Sequence, residues 1–347
     1  MKFIIAVVCT LAASVAPAAG AIFAWDGGGS SGNYSWQTAA NWRNDTAPGC
    51  SSSGTDNIVI NAGNLVTPFN QIADWDLTSG NACAYGTVDV QSNGSYAMTL
   101  RKSGTGTFSG GAMSLLGHSA SFEAHLDVDE SMTADSLKAQ GYADIDVASA
   151  KTLDINGSFS VDAISGLSTC EKLAAGGMTP DTLYVLGGNS AGEHATFVIS
   201  DGNVTASAAS TPFTSIEAAD SVDADATLQF NGTGDTLGVG TLYIRGGNPS
   251  TGGLSLFDFN AGTLTNPDGI TLSGLSKIDA EHDITVNGEL SVTVNGGDGF
   301  ATEATIDPLD SGAVLSVEKI VIGGGQACKL TIIGGASLSL ETDGDNP

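Results

Sequence analysis

Positive charge is scarce in this chain. Its 347 residues hold 11 Lys and Arg against 38 Asp and Glu, a formal net charge of −27. Nucleic acid and anionic membrane surfaces are recognised by clustered cations that displace counterions, so neither is an expected partner. Histidine is scarcer still: His118, His125, His194 and His282 are the whole set, and no two are close in sequence. With no Cys-x-x-Cys either, no compact zinc ligand set is legible, and none of the histidines stands in a recognisable nucleophile context. The glycine clusters precede strands rather than helices, which argues against phosphate-cradling loops. Helical signal is nearly missing. "STCEKLAAGG" is the exception, where Ser168 or Thr169 could cap one turn ended by Gly176.

Long apolar runs are confined to the start. Lys2 followed by "FIIAVVCTLAASVA" and small residues from Ala16 to Ala21 reads as a signal peptide over residues 1–21, cut after Ala21. No later stretch is apolar enough for a membrane-spanning helix. The expected mature chain starts at Ile22 and is secreted or held on a cell surface. Removing Lys2 leaves 10 basic residues against 38 acidic ones, dispersed as on a solvated face.

What the chain has in abundance is glycine, 47 residues of it, set among alternating apolar runs. "LYVLGGNSAGEHATFVISDGNVT" from Leu183, "LYIRGGNPSTGGLSLFDFNAGTLT" from Leu242 and "IVIGGGQACKLTIIGGASLSL" from Ile320 are variations on one unit. A degraded copy starts at Met113. Strand, glycine turn and strand recurring in this way predict an all-β, parallel β-solenoid over residues 61–347. The same "NG" and "GG" punctuation marks hairpins, so an antiparallel β-sandwich is the competing fold. The intervals are irregular: Gly117, Gly187, Gly246 and Gly324 lie 70, 59 and 78 residues apart. Period-two alternation turns Leu183, Val185, Leu242, Ile244, Ile320 and Ile322 inward. It turns Tyr184, Leu186, Tyr243 and Arg245 outward. Gly187 and Gly246 read as sharp corners, where the positive φ that glycine adopts freely is often needed.

Residues 22–60 differ from the rest. They hold Trp25, Trp36 and Trp42, which either plug the open end of the core or form a platform for sugar rings. Four cysteines remain after cleavage. Cys50 and Cys83 are near enough in sequence to staple this segment, although four cysteines allow three connectivities.

The opening "WDGGG…W…AANW…AP…DNIVI" and the later "GG…L…GxLT" units resemble the β-helical passenger regions of autotransporter-type surface proteins of Gram-negative bacteria. The resemblance implies a right-handed parallel β-helix used for surface display, adhesion or matrix, with glycans, other surface proteins or further copies as partners. It brings no catalytic residue. Such proteins end in a membrane β-barrel, whereas this chain stops at "SLSLETDGDNP".

Parallel β-helices also carry polysaccharide lyases and hydrolases, so candidate chemistry deserves a test. Arg245 is the first candidate lyase base because it faces outward, and the Arg101–Lys102 pair is the next. Asp127, Asp129 and Glu130, Asp144 with Asp146, and Asp223 with Asp225 place acids on one strand face. Such pairs suit glycoside hydrolysis, weak Ca²⁺ binding or mere solubility. The expected protein is therefore a non-catalytic structural or adhesive rod. The alternatives are a glycan-active enzyme and a glycan-binding module.

Overall fold

The computed structural model describes residues 20–29, 34–50, 54–65, 71–163, 166–207, 212–220, 222–265, 267–293, 301–308, 314–323, 328–333 and 337–340. Residues 1–21, expected to be a signal peptide, lie outside them apart from Gly20 and Ala21. The chain is a parallel β-solenoid with two walls. Among the described residues, wall one runs from Ile22–Trp25 to Ser337–Leu340, and wall two has eleven strands from Gln71–Trp75 to Cys328–Ile332. From Asn57–Asn61 onward the chain crosses between the walls in each turn, and each strand pairs only with its counterparts in the turns before and after, always in parallel. This excludes the sandwich, whose hairpins pair antiparallel. No helix among the described residues is long and apolar enough to cross a membrane.

Sequence alternation builds the core directly. In Thr152–Asp162, Leu153, Ile155, Phe159 and Val161 are at most 1% exposed, while the residues between them face outward or form the bend. The register shifts between Ile155 and Ser158, so this long strand turns a corner and covers two sides of the rod. Further along, the same course is split into short pieces such as Val204–Thr205 and Phe213–Glu217.

Register also explains the irregular repeat. Met113, Leu137, Phe159 and Leu183 are stacked in one inward column of wall one, which continues through Thr214, Leu242, Ile270, Leu290 and Ile320. All four similar units therefore start at the same height of the cross-section, separated by three, two and three turns. Turn length itself varies. Wall-two strands start as few as 18 residues apart, from Ala124 to Tyr142, and as many as 31 apart, from Ala195 to Ala226.

Three expectations are corrected. "STCEKL" is a strand, Ser168–Leu173, because Ser168, Cys170 and Lys172 alternate inward and the strand pairs on both sides. Those ladders override a weak local helix preference. Gly187 and Gly246 do stand at corners, but neither has a positive φ. A Cβ on Gly246 would run into the Leu275 backbone, and one on Gly187 would sit 2.5 Å from the Ala224 carbonyl. Close approach of the next turn, rather than φ, requires glycine there. Ile322 pairs with inward Val292 yet is 52% exposed. Among the described residues the following strand covers only Val314–Val317.

Near the N-terminus the tryptophans fill the first turns of the core. Trp25 meets Trp42 edge-on at 5.1 Å, and Trp36 meets Trp42 at 4.7 Å and Phe108 at 6.4 Å. The Trp42 indole donates to the Trp36 carbonyl at 2.8 Å. All three rings are at most 1% exposed, so they plug the core and present no platform to sugars. Segment 22–60 is continuous with the rod, since Ile22–Trp25 and Asn57–Asn61 begin the wall-one ladder. A disulfide joins Cys50 to Cys83, with Cα atoms 4.4 Å apart.

Candidate functional site

The outer face of wall one carries a hollow of about 450 Å³, within the size range of small-ligand clefts. Its shape follows from register. One outward column reads Tyr184, Ser215, Tyr243, Thr271, so tall and short side chains alternate turn by turn. Phe213 stands beside it and touches both rings edge-on, at 5.3 Å from Tyr184 and 6.0 Å from Tyr243. The next outward column reads Leu186, Glu217, Arg245, Ser273. Arg245 Nη1 lies 3.5 Å from Glu217 Oε2, and Ser215 donates to Glu217 Oε1 at 2.7 Å. Sequence alternation had placed Arg245 and both tyrosines outward. Glu217 and Phe213 were not singled out, because only cross-turn register brings them alongside. The Arg245 guanidinium carries N–H donors and no acceptor, so it can donate hydrogen bonds into the hollow.

The second candidate cation pair divides. Arg101 faces outward on wall two, 3.6 Å from Asp127 and 3.8 Å from Asp129. Lys102 turns inward, 4.8 Å from the Trp75 ring centroid, and donates to the Gly104 carbonyl. Burial lowers its pKa. Glu130 turns instead to Lys151 at 2.8 Å.

Asp144 and the Asp223–Asp225 pair each meet a histidine one turn away. His125 lies between Asp144, at 3.4 Å from Nδ1, and Glu123, at 3.9 Å from Nε2. The bond to Asp144 raises the His125 pKa against the effect of burial. Burial, then the hydrogen bond and charge of Asp144, push Glu123 up to about 7. Burial works upward on Asp144 too, but its bonds to His125 and Glu123 outweigh it and its carboxyl titrates below the usual range. His194 Nδ1 likewise lies 3.2 Å from Asp225, accepts the Asp225 backbone N–H, and has Asp223 nearby. In each trio one ligand atom per residue lies within 4.8 Å of the others, a donor set that a small divalent cation could share. At the first trio such an ion would displace the proton that bridges imidazole and carboxylate. Sequence spacing missed both trios, because one member of each, Asp144 or His194, lies about a turn away along the chain from the other two. Asp146, register partner of Asp127, joins neither.

Comparison with known proteins adds no relative: no family model, no curated sequence and no solved structure matches the chain.

Proposed function

We propose that this chain is an exported structural or adhesive protein, a stiff rod of the passenger type that displays its faces outside the cell and performs no chemistry. The carrying observation is the unbroken parallel ladder from Ile22 to Leu340, in which the inward positions are spent on one linear apolar core. Such an array gains length and surface with each turn. The targeting pattern at residues 1–21 supports export, and the acid-rich composition supports a soluble surface that repels its own kind. The groove supports binding over turnover. Among the described residues its lining has one carboxylate, Glu217, already shared by Arg245 and Ser215, whereas glycoside hydrolysis uses two.

Fractionating cells that express the tagged chain tests export. Recovery outside the cytoplasm with Ile22 as the new N-terminus is expected, and cytoplasmic retention with Met1 intact overturns the reading. Purified protein incubated with polysaccharides is expected to release no new chain ends. Release that disappears in Arg245→Ala overturns the non-catalytic assignment.

A further inference from the structure

We infer that the wall-one hollow is a carbohydrate site that takes a neutral glycan chain lying along the rod axis. The inference deepens the adhesive reading and rests on it for the biological role, since it names what the rod adheres to.

The direction comes from the fold. Tyr184 and Tyr243 are two turns apart in one column, about 9–10 Å at the usual strand spacing. An extended chain running along the axis crosses both rings, whereas one running across the wall meets a single turn. The chemistry comes from the lining. Sugar rings combine apolar C–H faces with hydroxyls that both donate and accept. Tyr184, Phe213 and Tyr243 offer aromatic surface, and Tyr243 is 40% exposed, so part of its ring is accessible to a ligand while its hydroxyl can hydrogen-bond. Beside them Arg245 donates and Glu217 accepts, with 47% and 34% of their side chains exposed, so together they can grip adjacent hydroxyls. Charge selects the class. The Arg245–Glu217 pair sums to zero inside the hollow, and the net charge of −27 repels polyanions. A uronate polymer is therefore disfavoured. A peptide strand is disfavoured for another reason: Phe213–Glu217 is paired on both sides, which leaves no open edge for strand addition.

Titration calorimetry of the full mature chain against neutral gluco-, manno-, galacto- and xylo-oligosaccharides, with oligogalacturonate as the acidic arm, tests this. At least one neutral oligosaccharide is expected to bind. Tyr243→Ala is expected to weaken it by about tenfold or more, and Arg101→Ala on the opposite wall to leave it unchanged. Thr271→Phe adds a ring but fills the hollow, and is expected to abolish binding. It also keeps the test decisive if Tyr243→Ala misfolds by circular dichroism. Absence of neutral-sugar binding, tighter binding of oligogalacturonate or of an extended peptide, or tighter binding by Thr271→Phe overturns the inference. Export without sugar binding would sink this inference and leave the adhesive reading standing. Sugar binding by a chain retained in the cytoplasm would do the reverse.

Discussion

Arg245 and Glu217 are register partners on adjacent turns of wall one, and their charged ends meet at 3.5 Å over the hollow. Both are substantially exposed, so water and salt screen the pair. A double-mutant cycle with Arg245→Ala and Glu217→Ala is expected to give a coupling of about 0.2–1 kcal/mol that shrinks at high salt. A coupling of several kcal/mol in denaturant titrations would show a site far drier than this geometry allows.

Gly246 and Gly192 separate two reasons for keeping glycine. Gly246→Val drives a branched side chain into the Leu275 backbone and is expected to cost more than about 3 kcal/mol, or to prevent folding. Gly192 has φ +83° with nothing within 4 Å of a built Cβ. There Ala meets only backbone strain, about 1–2 kcal/mol. Equal losses in urea unfolding would refute the distinction.

Stability should fall as pH rises through neutrality. Glu123 is raised from 4.5 to about 7, so between those values the folded chain holds a proton that the unfolded chain has lost. His125 is raised above 6.5, which extends the same trend upward as the imidazolium loses its proton. Through Glu123 stability therefore declines from about pH 4.5 through pH 7, and His125 adds to the decline above 6.5, by linkage. Asp144, lowered below 3.8, acts only at the acid end, where stability is lost as it protonates. Thermal melts of Glu123→Gln are expected to show a flatter profile between pH 4.5 and 7 than the parent. An unchanged slope would mean that Glu123 titrates normally.

Trp36→Ala should be among the most damaging single changes near the N-terminus. The ring is 1% exposed and packs against Trp42, Tyr85 and Phe108, so its removal is expected to cost about 3–5 kcal/mol. Reduction of Cys50–Cys83, which closes a separation of 33 residues, is expected to cost about 2–4 kcal/mol. Both are read by chemical denaturation with tryptophan fluorescence. A loss below 1 kcal/mol for Trp36→Ala would show that the plug relaxes around the cavity.

Much of the fold was legible because period-two alternation is a local property. Leu183 and Val185 turn inward and Tyr184 outward whatever lies in the next turn. The repeat itself was misleading in one respect: its uneven spacing looks like an irregular array. Leu183 and Leu242 nevertheless share a column, since loops of different length close each turn. The missed elements were those where partners decide. Ser168–Leu173 is a strand because it has ladders on both sides, and Lys172 is tolerated inward because its amine donates to the carbonyls of Ala174 and Asp201 at 2.9 and 2.6 Å. Burial lowers that amine to about 8, an environment that neighbouring sequence does not reveal.

By itself the sequence determined strand propensity, the inward and outward faces, the glycine-marked corners and the acidic surface. All of these depend on residue type and on spacing of a few positions. Tertiary structure alone decided which turns lie side by side. Register set Ser215 between two tyrosines to open a hollow, brought Glu217 under Arg245, and set Asp144 beside His125. Stacking brings together residues roughly 20–30 positions apart, and it depends on loop lengths that carry no periodic signal.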